Sequence, residues 1–419
     1  MVGAGFKPAP TFVWGRGNRY FLRKGNMGRV TSGLEIFLRD PPAWAAGARL
    51  GLLSHAASVG PDLTSTRELV ARNFPGRLQV LFSPQHGLLG EKQDNMIASA
   101  DFVDPVLQLP VVSLYGPRMT PPPEALDLVD VILVDLLDVG TRVYTFAATL
   151  AKVMEAAAPL DKKVVVLDRP NPIGGSAVEG NLLRPEWASF VGPYPLPMRH
   201  GFSLGELARY YNHTQHIGCD LEVIPAAGWR RGDYYDATGL PWVLPSPNLP
   251  TLEAAVVYPG QVLLEGTNLS EGRGTTRPFE LFGAPFLEPG HILELLKAIE
   301  LPGVILRTAC FEPTFHKWAG ELCRGFQLHV TDRRTFKPYS TTLTLLAAIR
   351  RLYPDRFAWR QPPYEYETVR LPFDLLTGDS AIREGLEQGL TAAELEKSWQ
   401  EDLDRFMEAR QEFLLYEDL

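Results

Sequence analysis

From about residue 48 the chain alternates short apolar runs with helical patterns, and this alternation limits the possible fold more than any other feature. The runs are rich in Val, Ile and Leu and do not alternate with polar residues, as is typical of parallel strands buried on both faces. Strands that alternate with helices indicate a parallel sheet covered by helices. We therefore predict an α/β fold, a Rossmann-like doubly wound parallel sheet, with strands at 50–53, 78–82, 111–114, 131–135 and 164–167.

Helix signals lie between these runs. Ser65 and Ser203 each stand three residues before a glutamate, the spacing of a capping box that begins a helix. Residues 145–158 are rich in helix-forming residues and end at Pro159. These signals place helices after the first, fourth and fifth predicted strands.

After about residue 225 the regular alternation ends. A Pro/Gly-rich stretch at 229–289 precedes predicted strands near 305–310 and 326–330, a helix near 341–352 and a charged helix from 392 to about 415. We predict two domains, a Rossmann-like domain over 31–225 and an α+β domain over 226–419.

The first 30 residues carry lysines and arginines but no acidic residue, and they lack the apolar core of a signal peptide. We predict a disordered extension over 1–30, with Met27 as an alternative start of the protein. Without an export signal, the expected location is the cytoplasm.

Composition excludes several partners. The net charge of −8 provides no basic field for a phosphate backbone, so no nucleic acid partner is expected. The longest apolar runs are strand-sized, so no membrane association is expected.

Cys219, Cys310 and Cys323 fit no zinc pattern and are interpreted as buried thiols. No glycine-rich nucleotide motif follows a strand, so we predict neither a cofactor nor a metal.

Polar side chains follow the ends of the predicted strands. Because the carboxyl ends of parallel strands meet at one edge of a sheet, where open α/β folds bind ligands, these side chains are expected to converge. The candidates for the site are Gln85, His86 and Glu91 after the second strand, Tyr115 after the third, Asp138, Arg142 and Tyr144 after the fourth, and Asp168, Arg169 and Asn171 after the fifth.

A second polar cluster lies at 245–250 and 265–280. Its glycines allow close approach of the backbone to a ligand, its arginines can bind carboxylates through two hydrogen bonds, and its glutamates can carry protons. We predict that this cluster faces the strand ends across a single cleft. Its candidate residues are Asn248, Glu265, Asn268, Glu271, Arg273 and Arg277.

The segment 201–205 has the G-x-S-x-G pattern of a nucleophile elbow, with His200 directly before it. Such an elbow needs a strand directly before the serine, but Pro195 and Pro197 argue against a central strand there. Since Ser203 also has the position of a helix N-cap relative to Glu206, a cap is the favoured interpretation. A serine hydrolase that uses Ser203 is kept as an alternative function.

With these motifs assembled, the chain resembles the exo-β-N-acetylmuramidase (NamZ-like) family of glycoside hydrolases. The resemblance runs from about residue 33 to the end and includes SPQHG (83–87), DVGTRVYTF (138–146), VLDRPNPIGG (166–175) and LLEGTNLSEGRGTTRPFE (263–280). It implies a Rossmann-like domain, a C-terminal domain and a cleft between them. The implied activity is release of β-linked N-acetylmuramic acid from the non-reducing end of peptidoglycan fragments, without a cofactor. Many members of the family are exported.

The implied substrate suggests roles for several candidates. N-acetylmuramic acid carries a lactyl carboxylate, which an arginine could bind through its two-pronged guanidinium. The arginines considered for this role are Arg142, Arg169, Arg199, Arg273 and Arg277. Tyr115 and Tyr144 are the candidates for stacking on the sugar ring, and His200 is a further candidate for substrate binding.

One position departs from the family pattern. The family usually has S-P-E-H-G, with the glutamate proposed as a catalytic acid, whereas this chain has Gln85. An amide cannot donate a proton as a carboxylic acid does. The acid is therefore expected at Glu91 or at a glutamate of the 265–280 segment, with Glu265 and Glu271 as candidates, or His86 handles the proton. The alternative is a catalytically weakened homologue that binds muropeptides or other glycans.

Overall fold

The computed structural model describes residues 28–94 and 96–418 of the 419-residue chain. Of the predicted N-terminal extension, residues 1–27 lie outside the described residues, whereas Val30 is buried and donates its N–H to the carbonyl of Thr238. The strands, in chain order, are β1 (Leu50–Ser54), β2 (Leu78–Ser83), β3 (Phe102–Val103), β4 (Pro110–Ser113), β5 (Val131–Asp135), β6 (Lys163–Leu167), β7 (Glu179–Leu182), β8 (Pro197–Arg199), β9 (Asp220–Ile224), β10 (Leu281–Ala284), β11 (Val304–Phe311) and β12 (Cys323–Val330).

The α-helices begin where the sequence supplies a cap. Ser65 accepts a hydrogen bond from the N–H of Glu68, and Ser203 forms a complete capping box with Glu206, as predicted. The helices are α1 (Gly33–Arg39), α2 (Thr66–Asn73), α3 (Pro123–Leu126), α4 (Phe146–Ala157), α5 (Leu204–Thr214), α6 (Leu252–Gln261), α7 (Pro289–Leu296), α8 (Pro338–Leu352), α9 (Pro372–Thr377), α10 (Ser380–Gln388) and α11 (Ala392–Ala409).

Seven strands form one sheet in the order β3-β4-β2-β1-β5-β6-β9. All neighbouring pairs are parallel except β3 with β4, which is antiparallel at the edge. The six parallel strands follow the doubly wound order in which the chain first builds outward from β1 and then returns to build on its other side. The predicted fold class is confirmed, and the order reverses between β1 and β5.

The five predicted strands match β1, β2, β4, β5 and β6. The sixth parallel strand, β9, was not predicted because it is an edge strand with a short alternating sequence, Asp-Leu-Glu-Val-Ile, and is half-buried rather than apolar throughout. The predicted domain boundary at 225/226 falls directly after β9.

The second part of the chain contains a three-stranded antiparallel sheet in the order β10-β12-β11. The Pro/Gly-rich stretch 229–289 contains a regular helix, α6. Thr251 caps α6 by accepting a hydrogen bond from the N–H of Ala254, and the helix is buried against α8. A methyl group on Gly260 would lie 1.9 Å from the carbonyl oxygen of Pro338, so glycine is required where the two helices cross.

The C-terminal end of the chain returns to the first sheet. Tyr416 donates its hydroxyl to Asp168 after β6 and packs with Val30 and Trp229. Among residues 28–94 and 96–418, no helix is both long enough and apolar enough to span a bilayer. Cys219 and Cys323 are buried as predicted, but the prediction is wrong for Cys310, which is exposed on the edge strand β11.

Arg142 connects the two parts of the chain. Its guanidinium is fully buried and donates to the carbonyls of Asn181 and Leu196 and to those of Leu376 and Thr377, at 2.7 to 3.0 Å. Two of these carbonyls also have another donor, since Leu196 accepts from the N–H of Leu183 and Thr377 accepts from the side chain of Asn181. One side chain thus forms four buried hydrogen bonds to the backbone of both parts of the chain.

We predict that Arg142→Met lowers the free energy of unfolding by about 3 kcal/mol or more, because it removes four buried hydrogen bonds. The matched control is Arg184→Met, which removes only half-exposed ion pairs with Asp379 and Asp402 and should cost less than about 1 kcal/mol. Urea unfolding of both variants measures the difference, and similar losses would contradict the role given to Arg142.

Candidate active site

A small cavity lies at the carboxyl edge of the sheet, beside the point where the strand order reverses. The loop after β2 supplies Gln85 and His86, and the loop after β5 supplies Tyr144 and Thr145. The second part of the chain closes the cavity with Ser246, Glu265, Arg273, Tyr364 and Glu365. The predicted convergence of the strand ends with the second cluster is thus confirmed.

The cavity measures about 30 Å³, and a neighbouring one of about 100 Å³ shares Gln85, His86 and Ser246 as lining residues. Pockets for small organic ligands usually measure about 300 Å³ or more. A sugar ring therefore fits only when the loops that line the cavity move apart.

Gln85 is held in one orientation by three hydrogen bonds. Thr145 donates its hydroxyl to the amide oxygen at 2.6 Å, and the amide nitrogen donates to the hydroxyl of Tyr115 at 2.9 Å and to a carboxyl oxygen of Glu365 at 3.2 Å. The position that departs from the family pattern is therefore in direct contact with a carboxyl group from the other part of the chain.

Glu365 is the functional residue that the sequence analysis missed. Its second oxygen accepts a hydrogen bond from Tyr115 at 2.7 Å, and only 6% of the residue is exposed. Burial raises the pKa of the Glu365 carboxyl to about 7, and the charge of Glu265 also raises it, against the hydrogen bonds from Tyr115 and Gln85. A carboxyl with this pKa is partly protonated at neutral pH.

Glu265 is the second carboxyl group of the cavity. It accepts a hydrogen bond from Arg273 at 2.7 Å and another from the hydroxyl of Tyr364 at 2.8 Å. The two glutamates thus differ in their surroundings, since Glu265 is paired with a guanidinium and Glu365 contacts only neutral donors among the hydrogen bonds found. Such a difference separates the protonation states of two carboxyls.

Glu271 lies behind Arg273 and does not line the cavity. Its carboxylate is 3.3 Å from Arg273, 2.8 Å from Lys317 and 3.2 Å from His316. Although burial opposes it, Lys317 and these other neighbours hold the pKa of Glu271 well below its usual range. We conclude that Glu271 is an anion that fixes the guanidinium of Arg273.

His86 is buried beside Gln85. Its Nδ1 donates to the carbonyl of Lys92 at 2.7 Å, which leaves Nε2 to accept from the hydroxyl of Ser246 at 3.2 Å. Burial lowers the pKa of the His86 imidazole to about 4. The ring is therefore neutral at pH 7 and has no imidazolium proton to donate.

Glu91, the favoured candidate for a relocated acid, is not brought to the cavity. It is exposed, and its carboxylate accepts a hydrogen bond from the N–H of Leu89 in its own loop at 3.3 Å. The loop curls back toward Gly87 rather than toward Gln85.

Among the candidate arginines, Arg273 lines the cavity and the other four have partners elsewhere. Arg142 satisfies the four carbonyls described above. Arg169 is buried against Asp135, Arg199 donates to the carbonyl of Ile173 and to the hydroxyl of Tyr234, and the half-exposed Arg277 pairs with Glu280.

The remaining candidates support the walls of the site. Tyr144 lines the cavity and donates to the carbonyl of Pro245 at 2.8 Å, while Tyr115 lies behind Gln85 with its hydroxyl fully engaged. The others do not line the cavity and form hydrogen bonds with neighbouring loops or caps: Asp138, Asp168, Asn171, His200, Asn248 and Asn268.

Ser203 is a helix cap, as favoured from the sequence. Its hydroxyl donates to Asp168 at 2.6 Å and accepts from the N–H of Glu206, and the serine is buried. The short strand β8 before it pairs with β7 outside the main sheet. No histidine contacts this hydroxyl within the described hydrogen bonds, so the geometry offers nothing to activate Ser203.

Three non-glycine residues at or beside the cavity have a strained backbone conformation. His86, Glu365 and Tyr366 have φ angles of 72°, 47° and 66°, in the left-handed region that favours glycine. Such conformations cost about 1 to 3 kcal/mol each and persist where the surrounding structure fixes them, often at functional sites. Within the described residues, no cluster of three or more His, Cys, Asp or Glu side chains is arranged to hold a metal.

Two carboxyl groups with unequal surroundings are the catalytic pair of most glycoside hydrolases, and open α/β sheets bind ligands at the edge where this cavity lies. Comparison with known proteins gives the family. The family model for the N-terminal domain of the exo-β-N-acetylmuramidase NamZ matches residues 50–253, and that for its C-terminal domain matches residues 256–416. This chain belongs to the NamZ family, as the sequence motifs predicted.

Individual relatives agree with this assignment. The peptidoglycan β-N-acetylmuramidase NamZ of Bacillus subtilis is 42% identical over 388 residues, which cover 93% of this chain and 92% of the relative. Crystal structures of two DUF1343 family proteins from Bacteroides fragilis match with TM-scores of 0.83 and 0.73, at 32% and 29% identity. Each match covers 93% of this chain and 99% of the other.

The raised pKa of Glu365 predicts a pH-dependent difference in stability between the wild type and Glu365→Gln. Between the ordinary pKa of 4.5 and about 7, the unfolded wild-type chain releases this proton while the folded chain keeps it. The wild type therefore loses up to about 3 kcal/mol of unfolding free energy as pH rises through this window, and the neutral amide does not.

Urea unfolding of both proteins at several pH values from 4.5 to 8 measures this effect. The stability of Glu365→Gln relative to the wild type should rise across the window and become constant above it. A difference that does not change with pH would mean that Glu365 has an ordinary pKa.

Proposed function

We propose that this protein is a glycoside hydrolase that releases β-linked N-acetylmuramic acid from the non-reducing end of peptidoglycan fragments. The observation that carries the proposal is the pair of buried glutamates, Glu265 and Glu365, in the cavity of a NamZ-family chain. Glycosidases use two carboxyl groups on opposite sides of the scissile bond. The name of the Bacillus subtilis relative, a peptidoglycan β-N-acetylmuramidase, supports the same activity.

The shape of the site supports cleavage at a chain end. Loops from both parts of the chain wall the cavity, and it is not an open groove along which a glycan could lie. A terminal sugar unit suits such a cavity better than a unit within a chain. The cytoplasmic location and the absence of nucleic acid and membrane partners stay predictions.

Incubation with a chromogenic β-N-acetylmuramide and with the matching β-N-acetylglucosaminide tests the activity directly. We expect the muramide to be cleaved with the higher kcat/KM. Absence of cleavage of either substrate, together with measurable binding of N-acetylmuramic acid by calorimetry, would contradict the proposal and favour the sugar-binding alternative.

The amide at position 85 is the observation that favours this second candidate function, a weakened homologue that binds glycans. The variant Gln85→Glu restores the carboxyl that the family usually has. Strong activity that appears only in this variant would identify the native protein as a binder. Comparable activity in both proteins would show that the native chain has its acid elsewhere.

We further propose that Arg273 binds the lactyl carboxylate of the substrate. The side chain lines the cavity. Its Nη2 pairs with Glu265 and its Nε lies 3.3 Å from Glu271, whereas Nη1 is buried without a hydrogen bond among the described residues and lies 4.0 Å from Asp94. Nη1 is therefore the nitrogen through which the guanidinium could donate to a substrate carboxylate.

For Arg273→Lys we predict that the ratio of kcat/KM for the muramide over the glucosaminide falls about 10-fold or more, because a lysine keeps the charge but loses the two-pronged geometry. The matched control is Arg277→Lys, which changes a half-exposed arginine outside the cavity and should leave the ratio unchanged. Equal losses on both substrates would show that Arg273 only holds Glu265 in place.

A further inference from the structure

We propose that Glu365 is the proton donor to the glycosidic oxygen, in place of the glutamate that the family usually has at position 85. This proposal rests on the proposed function, and it deepens it by assigning the acid to the C-terminal part of the chain. Three observations support it: Gln85 contacts Glu365, Glu365 is buried, and the two glutamates have unequal surroundings.

Glu365 lies where a proton donor at position 85 would act. The amide nitrogen of Gln85 lies 3.2 Å from Oε1 of Glu365, so the carboxyl of Glu365 is adjacent to the place where a carboxyl at position 85 would lie. Tyr115 contacts both side chains through one hydroxyl, at 2.9 Å and 2.7 Å. An acid at position 365 can therefore reach a leaving oxygen in nearly the same location.

The surroundings of Glu365 favour the protonated carboxyl. Glu365 is buried, and its hydrogen-bond partners are the neutral side chains of Gln85 and Tyr115. Among the described residues, no guanidinium or ammonium group lies within ion-pair distance of its carboxyl, and burial raises its pKa to about 7. The group is therefore available as a carboxylic acid at neutral pH, whereas Glu265 is paired with Arg273.

The other candidate proton donors are not placed to protonate a sugar in the cavity. Glu91 is exposed and outside the cavity, Glu271 lies behind Arg273 and pairs with it and with Lys317, and His86 is neutral with its Nδ1 proton donated to a backbone carbonyl. Glu365 remains as the carboxyl that lines the cavity without a cationic partner.

In the reaction, Glu365 gives its proton to the glycosidic oxygen as the bond from C1 to that oxygen breaks, and the bonding electron pair stays on the leaving oxygen. Water then adds its oxygen to C1 and returns one proton to a carboxylate of the site. One water is consumed, and the sugar and the shortened glycan are released. Gln85 and Tyr115 are positioning residues, because their N–H and O–H donors stabilise the carboxylate that forms on Glu365.

The test exploits the leaving group. Protonation matters for a poor leaving group such as an alkyl alcohol or a sugar, and little for dinitrophenolate, which leaves without a proton. We expect Glu365→Gln to lower kcat about 100-fold or more on a muramic acid disaccharide and less than about 10-fold on a dinitrophenyl β-N-acetylmuramide. The decline of wild-type activity above about pH 7 should also disappear in this variant.

Glu91→Gln is the matched control, since it makes the same carboxyl-to-amide change on an exposed residue of the Gln85 loop and should behave as the wild type on both substrates. If Glu365→Gln loses activity equally on both substrates while the wild type cleaves them, the proposed function stands and Glu365 is not the acid. A leaving-group-dependent loss in Glu91→Gln would assign the acid to Glu91. A wild type that cleaves neither substrate would overturn the proposed function itself.

Tyr115→Phe provides a second measurement that does not remove the carboxyl. Because the hydrogen bond from Tyr115 lowers the pKa of Glu365, its loss should move the alkaline limb of the pH profile to higher pH. An alkaline limb that stays in place in the folded variant would contradict the assignment of this limb to Glu365.

Discussion

The hydrogen bond between Gln85 and Glu365 is the contact on which the site depends, because it joins the sheet edge to the C-terminal part of the chain. Both side chains are buried, and Tyr115 shares its hydroxyl between them. A buried carboxyl of this kind is tolerated only where donors reach it or where it keeps its proton. Closure of the two parts of the chain around the cavity and the acidity of Glu365 are therefore consequences of the same packing.

A second layer of charge holds the opposite side of the cavity. Glu265 and Glu271 flank the guanidinium of Arg273, and Lys317 compensates the charge of Glu271. Lys317 also donates to the carbonyls of Leu264 and Leu269, which fixes the backbone on either side of Glu265. Buried ion pairs of this kind add little net stability but are costly to break singly. Their effect here is to give Glu265 one position.

Five of the seven strands of the first sheet could be predicted from the sequence because each is a continuous apolar run, and the order of the parallel strands follows the rules of doubly wound folds. The loops after β2 and β5 could be placed at the site for the same reason. Glu365 could not be found in this way, because it lies in a loop without periodicity and is 280 residues from its partner Gln85. A weak signal was present in its flanking tyrosines and paired prolines at 362–366.

Several arginines that the sequence suggested as substrate-binding residues bind other groups of the protein instead. Arg142 and Arg169 stand in the family motifs and Arg199 ends β8, as a ligand-binding residue could, yet each is used to satisfy buried carbonyls or a buried aspartate. A residue that binds the protein's own backbone and one that binds a substrate have the same pattern in one sequence. Only the tertiary contacts separate them.

The division of the site between two distant stretches of chain has a consequence for biosynthesis. A ribosome synthesises Gln85 long before it reaches Glu365, which lies 280 residues further along the chain. The nascent sheet edge therefore carries the amide without the carboxyl beside it. On the proposed assignment of the acid, hydrolytic competence arises only after the loop with Glu365 has been synthesised, and a chain truncated before that loop would lack its proton donor.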